Sequence, residues 1–187
     1  MPRYYEFEIC LQDIHPRIWR RLLMQPTATF ADLHAAIQNS FGWRDCHLWE
    51  FRPATPHGRP IAGSSGGDDY GPPTPDAHRV KLNSHFTGEQ PGKRCEYVYD
   101  FGDGWVHEVK FVAVRTEKET FQRRLLDGKR SGPMEDCGGI PGYLRMVHFL
   151  ETGVDPDDED PEMLTSWIGS WRPDAFDPEK ARARFDR

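Results

Sequence analysis

Residues 97–111, Tyr-Val-Tyr-Asp-Phe-Gly-Asp-Gly-Trp-Val-His-Glu-Val-Lys-Phe, constrain the fold more than any other stretch. Two β-prone runs flank Gly102-Asp103-Gly104, which predicts an antiparallel hairpin. A three-residue loop, with Gly104 left-handed, would pair Phe101 with Trp105 and Tyr99 with His107. That register collects Tyr97, Tyr99, Phe101, Trp105, His107, Val109 and Phe111 on one face. It leaves Asp100, Val106, Glu108 and Lys110 on the other. A two-residue Asp-Gly loop would split the aromatics between faces, so burial of apolar surface favours the first register. Asp100 and Asp103 then lie together near the turn.

The segments before the hairpin read as sheet and helix in turn. Tyr5, Phe7, Ile9 and Leu11 alternate with Glu6, Glu8 and Cys10, the pattern of a half-buried strand. Ile18 to Met24 is a second strand, turned back by Asp13-Ile-His-Pro16. Phe30, Leu33, Ile37 and Phe41 recur at helical spacing, with Thr29 placed as N-cap, Asp32 in the first turn and Gly42 as the stop. His34 falls on the apolar stripe of that helix, where a satisfied core histidine is the simplest reading. His47, Trp49 and Phe51 share one face of a third strand.

Residues 52–79, rich in Gly, Pro, Ser and Asp, predict a long loop or lid. Within them, Gly63-Ser-Ser-Gly-Gly67 lacks the lysine and the strand–loop–helix setting of a phosphate loop. Val80 to Leu82 reads as a short strand and Glu117 to Leu126 as a short helix. Tyr143, Leu144, Val147 and Leu150 mark a helix that packs on the core. The region 153–187 reads as a linker followed by short helices at Met163–Trp171 and Pro178–Arg184. The linker's acidic run, Asp155 to Glu162, lacks the ligand spacing of a calcium loop.

Together these predict an α+β protein of one domain over 1–187. Strands near 4–11, 17–24, 46–52, 95–102 and 105–114 form a mainly antiparallel sheet, with helices near 30–41 and 140–151 on one face. With 187 residues the chain can bury a core without disulfides. Cys10, Cys46, Cys95 and Cys137 are dispersed, and the chain start lacks the layout of a secretion signal, so reduced thiols in the cytoplasm are expected. No apolar run is long enough for a membrane span. A net charge of −6 argues against broad nucleic-acid binding.

Five ordered motifs carry a family resemblance. They are Ile14-His-Pro-Arg-Ile-Trp-Arg-Arg21, Thr29-Phe-Ala-Asp-Leu-His34, Phe41-Gly-Trp-Arg-Asp-Cys-His-Leu48, Tyr99-Asp-Phe-Gly-Asp-Gly-Trp-Val-His107 and Glu135-Asp-Cys-Gly-Gly139. The set resembles the plasmid pRiA ORF-three-like family over nearly the whole chain. The resemblance implies a compact α+β fold and an association with plasmids and mobile elements, and it implies no reaction or ligand. Relatives often carry a cysteine where this chain has Gly132. A zinc site built from that position and Cys137 is therefore not expected here, and no cofactor is expected.

Two functional classes follow from the same residues. Trp43, Trp49, Trp105 and Tyr99, with carboxylates at their mouth, would line a pocket for a peptide, protein or small-molecule ligand, closed by the 52–79 lid. This non-catalytic binding module is the preferred reading, with Asp45, His47, Asp100, Asp103, His107, Glu135, Asp136 and Cys137 completing the pocket. The alternative is a metal-dependent hydrolase in which His47, His107 and nearby carboxylates hold a divalent ion. A third possibility has His47 or His107 activating Cys137 as a nucleophile. Against these stands a plain structural role, in which Glu135 and Asp136 cap the following helix and the tryptophans are core.

Overall fold

In the computed structural model, residues 1–55, 58–64, 73–88, 90–157 and 161–186 are described. Seven strands form one sheet in the order β4-β3-β5-β6-β1-β2-β7. They are β1 (Arg3–Leu11), β2 (Trp19–Met24), β3 (Trp49–Pro53), β4 (Ala62–Gly63), β5 (Arg94–Tyr99), β6 (Trp105–Thr116) and β7 (Arg123–Lys129). Every neighbouring pair is antiparallel. The helices are α1 (Phe30–Phe41), α2 (Leu82–His85), α3 (Gly139–Thr152), α4 (Pro161–Ile168) and α5 (Pro178–Phe185).

One apolar cluster joins the inner face of the sheet to the helices. Phe7, Ile9, Leu22, Tyr97, Phe111 and Leu125 contribute from strands, and Leu33, Ile37, Tyr143, Met146, Leu164 and Phe185 from helices. The alternation of β1 places Phe7 and Ile9 on that face. The opposite face is mostly charged, with a small second cluster of Tyr4, Leu23 and Phe121.

α1 begins where local chemistry says it should. The Thr29 hydroxyl accepts from Asp32 N–H at 3.2 Å, while Thr29 N–H donates back to the Asp32 carboxylate at 2.8 Å. It ends at Gly42, whose φ of 86° needs a residue without Cβ.

Several expectations are corrected. The hairpin pairs Tyr99 with Trp105 and Tyr97 with His107, so its loop runs from Asp100 to Gly104. Asp100 forces this: its Oδ1 accepts from Gly102 N–H at 3.0 Å and Asp103 N–H at 3.3 Å, closing the turn on itself. A shift of two residues keeps every side chain on its face, so the inner face is as expected except for Phe101, which lies exposed in the turn.

The stretch read as a helix from Glu117 to Leu126 instead supplies β7. Its Leu125 faces the main core and Leu126 packs on the small cluster, and the free edge of β2 takes its hydrogen bonds. Residues 80–82 hold only an isolated bridge from Lys81 to Thr29, followed by α2. The expected lid contains β4, which pairs with β3 through Glu50–Gly63 and Phe51–Ala62. The rest of the glycine-rich run and the lid at 65–72 lie outside the described residues, as do 56–57. In the acidic run, Asp155 is buried and pairs with Arg145 at 2.6 Å rather than lying in solvent; residues 158–160 of that run lie outside the described residues. Among the described residues no helix is long and apolar enough to cross a membrane.

Candidate functional site

Three loops meet at one end of the sheet. They are the turn 43–48 after α1, the hairpin tip 100–104, and the loop 131–138 before α3. Each contributes an aspartate in the left-handed region: Asp45 (φ 56°), Asp100 (φ 57°) and Asp136 (φ 56°). Non-glycine residues rarely adopt this conformation, and aspartate does so more readily than most.

Glu135 is held by its neighbours. Its Oε1 accepts from Arg44 N–H at 2.7 Å and from the Tyr99 hydroxyl at 3.0 Å. Tyr99 is fully buried at the end of β5, and it also accepts from Cys46 N–H at 3.3 Å. Burial, then its partners at Cys46 and Glu135, raise its pKa, so the phenol stays a donor.

The glycines of this loop serve the packing. Gly138 N–H donates to Asp103 Oδ2 at 3.1 Å, and a Cβ on Gly139 would come within 2.6 Å of the Asp103 carbonyl. Glu135 and Asp136 do not cap α3, whose N-cap is Gly138 without a side-chain bond. The loop packs beside the hairpin tip, and the capping role falls away.

His47 stands at the centre of this arrangement. Its Nε2 lies 3.1 Å from Asp136 Oδ1, 3.5 Å from Asp100 Oδ2 and 3.8 Å from Glu135 Oε2. Although Asp136 is close enough for an ion pair, Nε2 is buried and makes no hydrogen bond. Two ligand sets emerge, each with donor atoms within 4.8 Å of one another: His47 with Asp100 and Asp136, and His47 with Cys46 and Glu135. Sequence reasoning passed over Cys46, whose one signal is its place beside His47.

Asp45 belongs to a different construction. His34 Nε2 lies 2.8 Å from Asp45 Oδ1, and His34 Nδ1 lies 2.8 Å from the Tyr97 hydroxyl. Gln38 Oε1 accepts from Asp45 N–H at 2.9 Å, so its amide nitrogen must be the group donating to Tyr97 at 3.0 Å. Tyr97 then donates to Nδ1, and His34 carries its proton on Nε2 and donates to Asp45. The ring also stacks on Trp49, centroids 3.8 Å apart. Burial pushes His34 down to about 4 despite the opposing Asp45 charge. It is a satisfied core histidine that anchors the 43–48 turn.

The remaining expected members are withdrawn from the site. His107 has no exposed surface and meets Phe41 and Trp43 edge to face. Burial drives it down to about 3, and as a neutral ring it donates through Nδ1 to the Tyr97 carbonyl at 3.3 Å. Cys137 is buried and its thiol is pushed up to about 12, first by burial and then by the negative charge of Asp103, Asp136 and Asp100. A buried thiol raised in this way is a poor source of thiolate. Trp43, Trp49 and Trp105 are also buried, and Trp43 Nε1–H is satisfied by the Pro133 carbonyl at 2.9 Å. They form the floor beneath the polar centre rather than an exposed aromatic platform, since large rings gain most from full burial.

The chain is similar to known proteins in sequence and in fold. A family model described as plasmid pRiA4b ORF-3-like protein matches residues 3–180. An uncharacterized protein, y4hQ, of Sinorhizobium fredii (strain NBRC 101917 / NGR234) is 33% identical over 184 residues, covering 96% of this chain and 86% of that protein. Among solved structures, a protein of unknown function, MM3350, from Methanosarcina mazei Go1 superposes with a TM-score of 0.79 at 34% identity, covering 95% of each chain.

Proposed function

The chain belongs to the plasmid pRiA4b ORF-3-like family, and we propose that it is a non-catalytic binding module whose working centre holds a divalent cation at the hairpin tip. One observation carries the reading. His47 Nε2 faces carboxylate oxygens from two separate loops at 3.1, 3.5 and 3.8 Å and bonds to none of them. Ligands about 2.1 Å from a metal stand roughly 3.0–3.4 Å apart along the edges of an octahedron or tetrahedron. The 3.1 Å to Asp136 falls in that range and the 3.5 Å to Asp100 lies just outside it, so these two carboxylates suit an ion shared with His47, while Glu135 at 3.8 Å belongs to the second set. A cation would also relieve the repulsion among Asp100, Glu135 and Asp136, which now rests on Tyr99, Arg44 and the turn amides.

One imidazole with several carboxylates favours Mn²⁺, Fe²⁺ or Zn²⁺, and recruitment of Cys46 would shift the preference to Zn²⁺. The exposed Leu48 and Phe101 flank the centre, and they would give a peptide or small-molecule ligand apolar contact beside the ion. Hydrolysis by a pair of histidines is disfavoured, because His107 lies in the core. The four free cysteines support a reducing compartment such as the cytoplasm.

Calorimetric titration of metal-stripped protein with Zn²⁺ and Mn²⁺ tests the proposal. One equivalent should bind to the wild type. Asp136→Asn keeps the left-handed residue and removes a charge, so it should bind at least tenfold more weakly. Equal affinity in the two proteins would refute it.

A further inference from the structure

A groove of about 920 Å³ lies between the end of α1, the 131–136 loop and the segment joining α4 to α5. On its lining is Arg20 of β2, which is 1% exposed. Its Nε–H donates to the Ser40 carbonyl at 2.7 Å, and Nη1 donates to the Trp19 and Lys129 carbonyls at 2.8 and 3.1 Å. The guanidinium is sandwiched between Phe176, 3.7 Å from its centre, and Phe41, at 4.7 Å. Three of five N–H groups are thus engaged, while the two on Nη2 have no acceptor among the described residues. No carboxylate of the described residues lies within ion-pair range of Arg20, in contrast to Arg145, which pairs with Asp155 at 2.6 Å.

Buried charges are ordinarily paired, because an unpaired one forfeits its hydration without compensation. Backbone carbonyls and aromatic faces partly replace that hydration but supply no counter-charge. Burial lowers the guanidinium to about 9, which leaves it protonated at neutral pH. The walls of the same groove carry Arg44 and Lys180, with Glu135 and Asp136 also on its lining.

We propose that the groove binds a small ligand bearing an oxyanion, a phosphate or carboxylate group that docks on Nη2 of Arg20. The two N–H groups of Nη2 can each donate to such a group, and the stacked rings hold the guanidinium in a fixed orientation. Gly128 is part of the device: a Cβ there would come within 2.7 Å of Phe176 and 2.8 Å of Arg20, so only glycine lets both side chains settle over β7. The groove shares Glu135 and Asp136 with the cation centre, but docking on Arg20 uses neither.

The test follows the Arg20 side-chain Nε–Hε resonance in chelator-treated protein during titration with inorganic phosphate, phenyl phosphate, benzoate and chloride. A saturable shift with phosphates or with benzoate, and none with chloride, is expected; the stronger class identifies the ligand chemistry. Ala175 is exposed on the groove, next to the Phe176 that covers Arg20. Ala175→Glu should weaken binding and Ala175→Lys should strengthen it, each by roughly threefold. An Arg20 signal that does not saturate, that responds equally to chloride, or that ignores the sign of charge at position 175 overturns the proposal.

Discussion

The Tyr99 hydroxyl donates to the Glu135 carboxylate at 3.0 Å, joining the end of a core strand to the loop that precedes α3. The bond crosses 36 residues of chain and fixes one wall of the candidate centre from beneath. Tyr99→Phe leaves Glu135 and Cys46 N–H each short of a partner in a part-buried place. The variant should lose about 1–3 kcal/mol of stability, read by urea denaturation, and should bind Zn²⁺ more weakly. Unchanged midpoint and slope would show that the bond contributes nothing.

Acid should destabilise the fold through its buried histidines. Burial lowers His34 to about 4, His85 to about 4 and His107 to about 3, against 6.5 for an unburied ring. Below 6.5 the unfolded chain binds protons that the folded chain refuses, so stability is complete above that pH and is lost as pH falls toward 3–4. Each ring adds up to about 1.4 kcal/mol per pH unit within its window. Denaturation of His107→Leu between pH 7 and pH 4.5 should show a slope reduced by close to one proton. An unchanged slope would mean that His107 is solvated or charged in the native state.

The free edge of β7 is covered by the C-terminal helix. Arg182 donates to the carbonyls of Leu125 and Leu126, and Leu125 N–H donates to Asp186 at 2.8 Å. An uncovered edge strand invites pairing with another chain. Arg182→Ala should therefore cost about 1.5–3 kcal/mol and raise the light-scattering signal on mild heating. Loss of stability without aggregation would limit α5 to a packing role.

Much of the fold was legible because its signals are local. Thr29, Asp32 and Gly42 delimit α1 within a few residues of one another, and the faces of the hairpin survive a wrong loop length because the strand period is two. β7 was illegible for the opposite reason. Its residues suit a helix on their own, and only the unpaired edge of β2, a hundred residues earlier, draws them into a strand.

The site divides in the same way. His47, Asp100, Glu135 and Asp136 stand out by ligand type, but their meeting depends on loops far apart in sequence. His107 and the tryptophans have the same chemistry on paper, and only packing sends them to the core. Arg20 lies on an imperfect strand pattern, which is the trace left by a charged residue on a buried face.

The central claim is that His47, and not His107, ligates a metal. X-ray absorption of the protein loaded with one equivalent of Zn²⁺ measures this most directly. Nitrogen and oxygen ligands near 2.0–2.2 Å with an imidazole contribution are expected, lost in His47→Gln and kept in His107→Leu. Zinc that fails to bind stoichiometrically, or whose imidazole signal persists without His47, would contradict it.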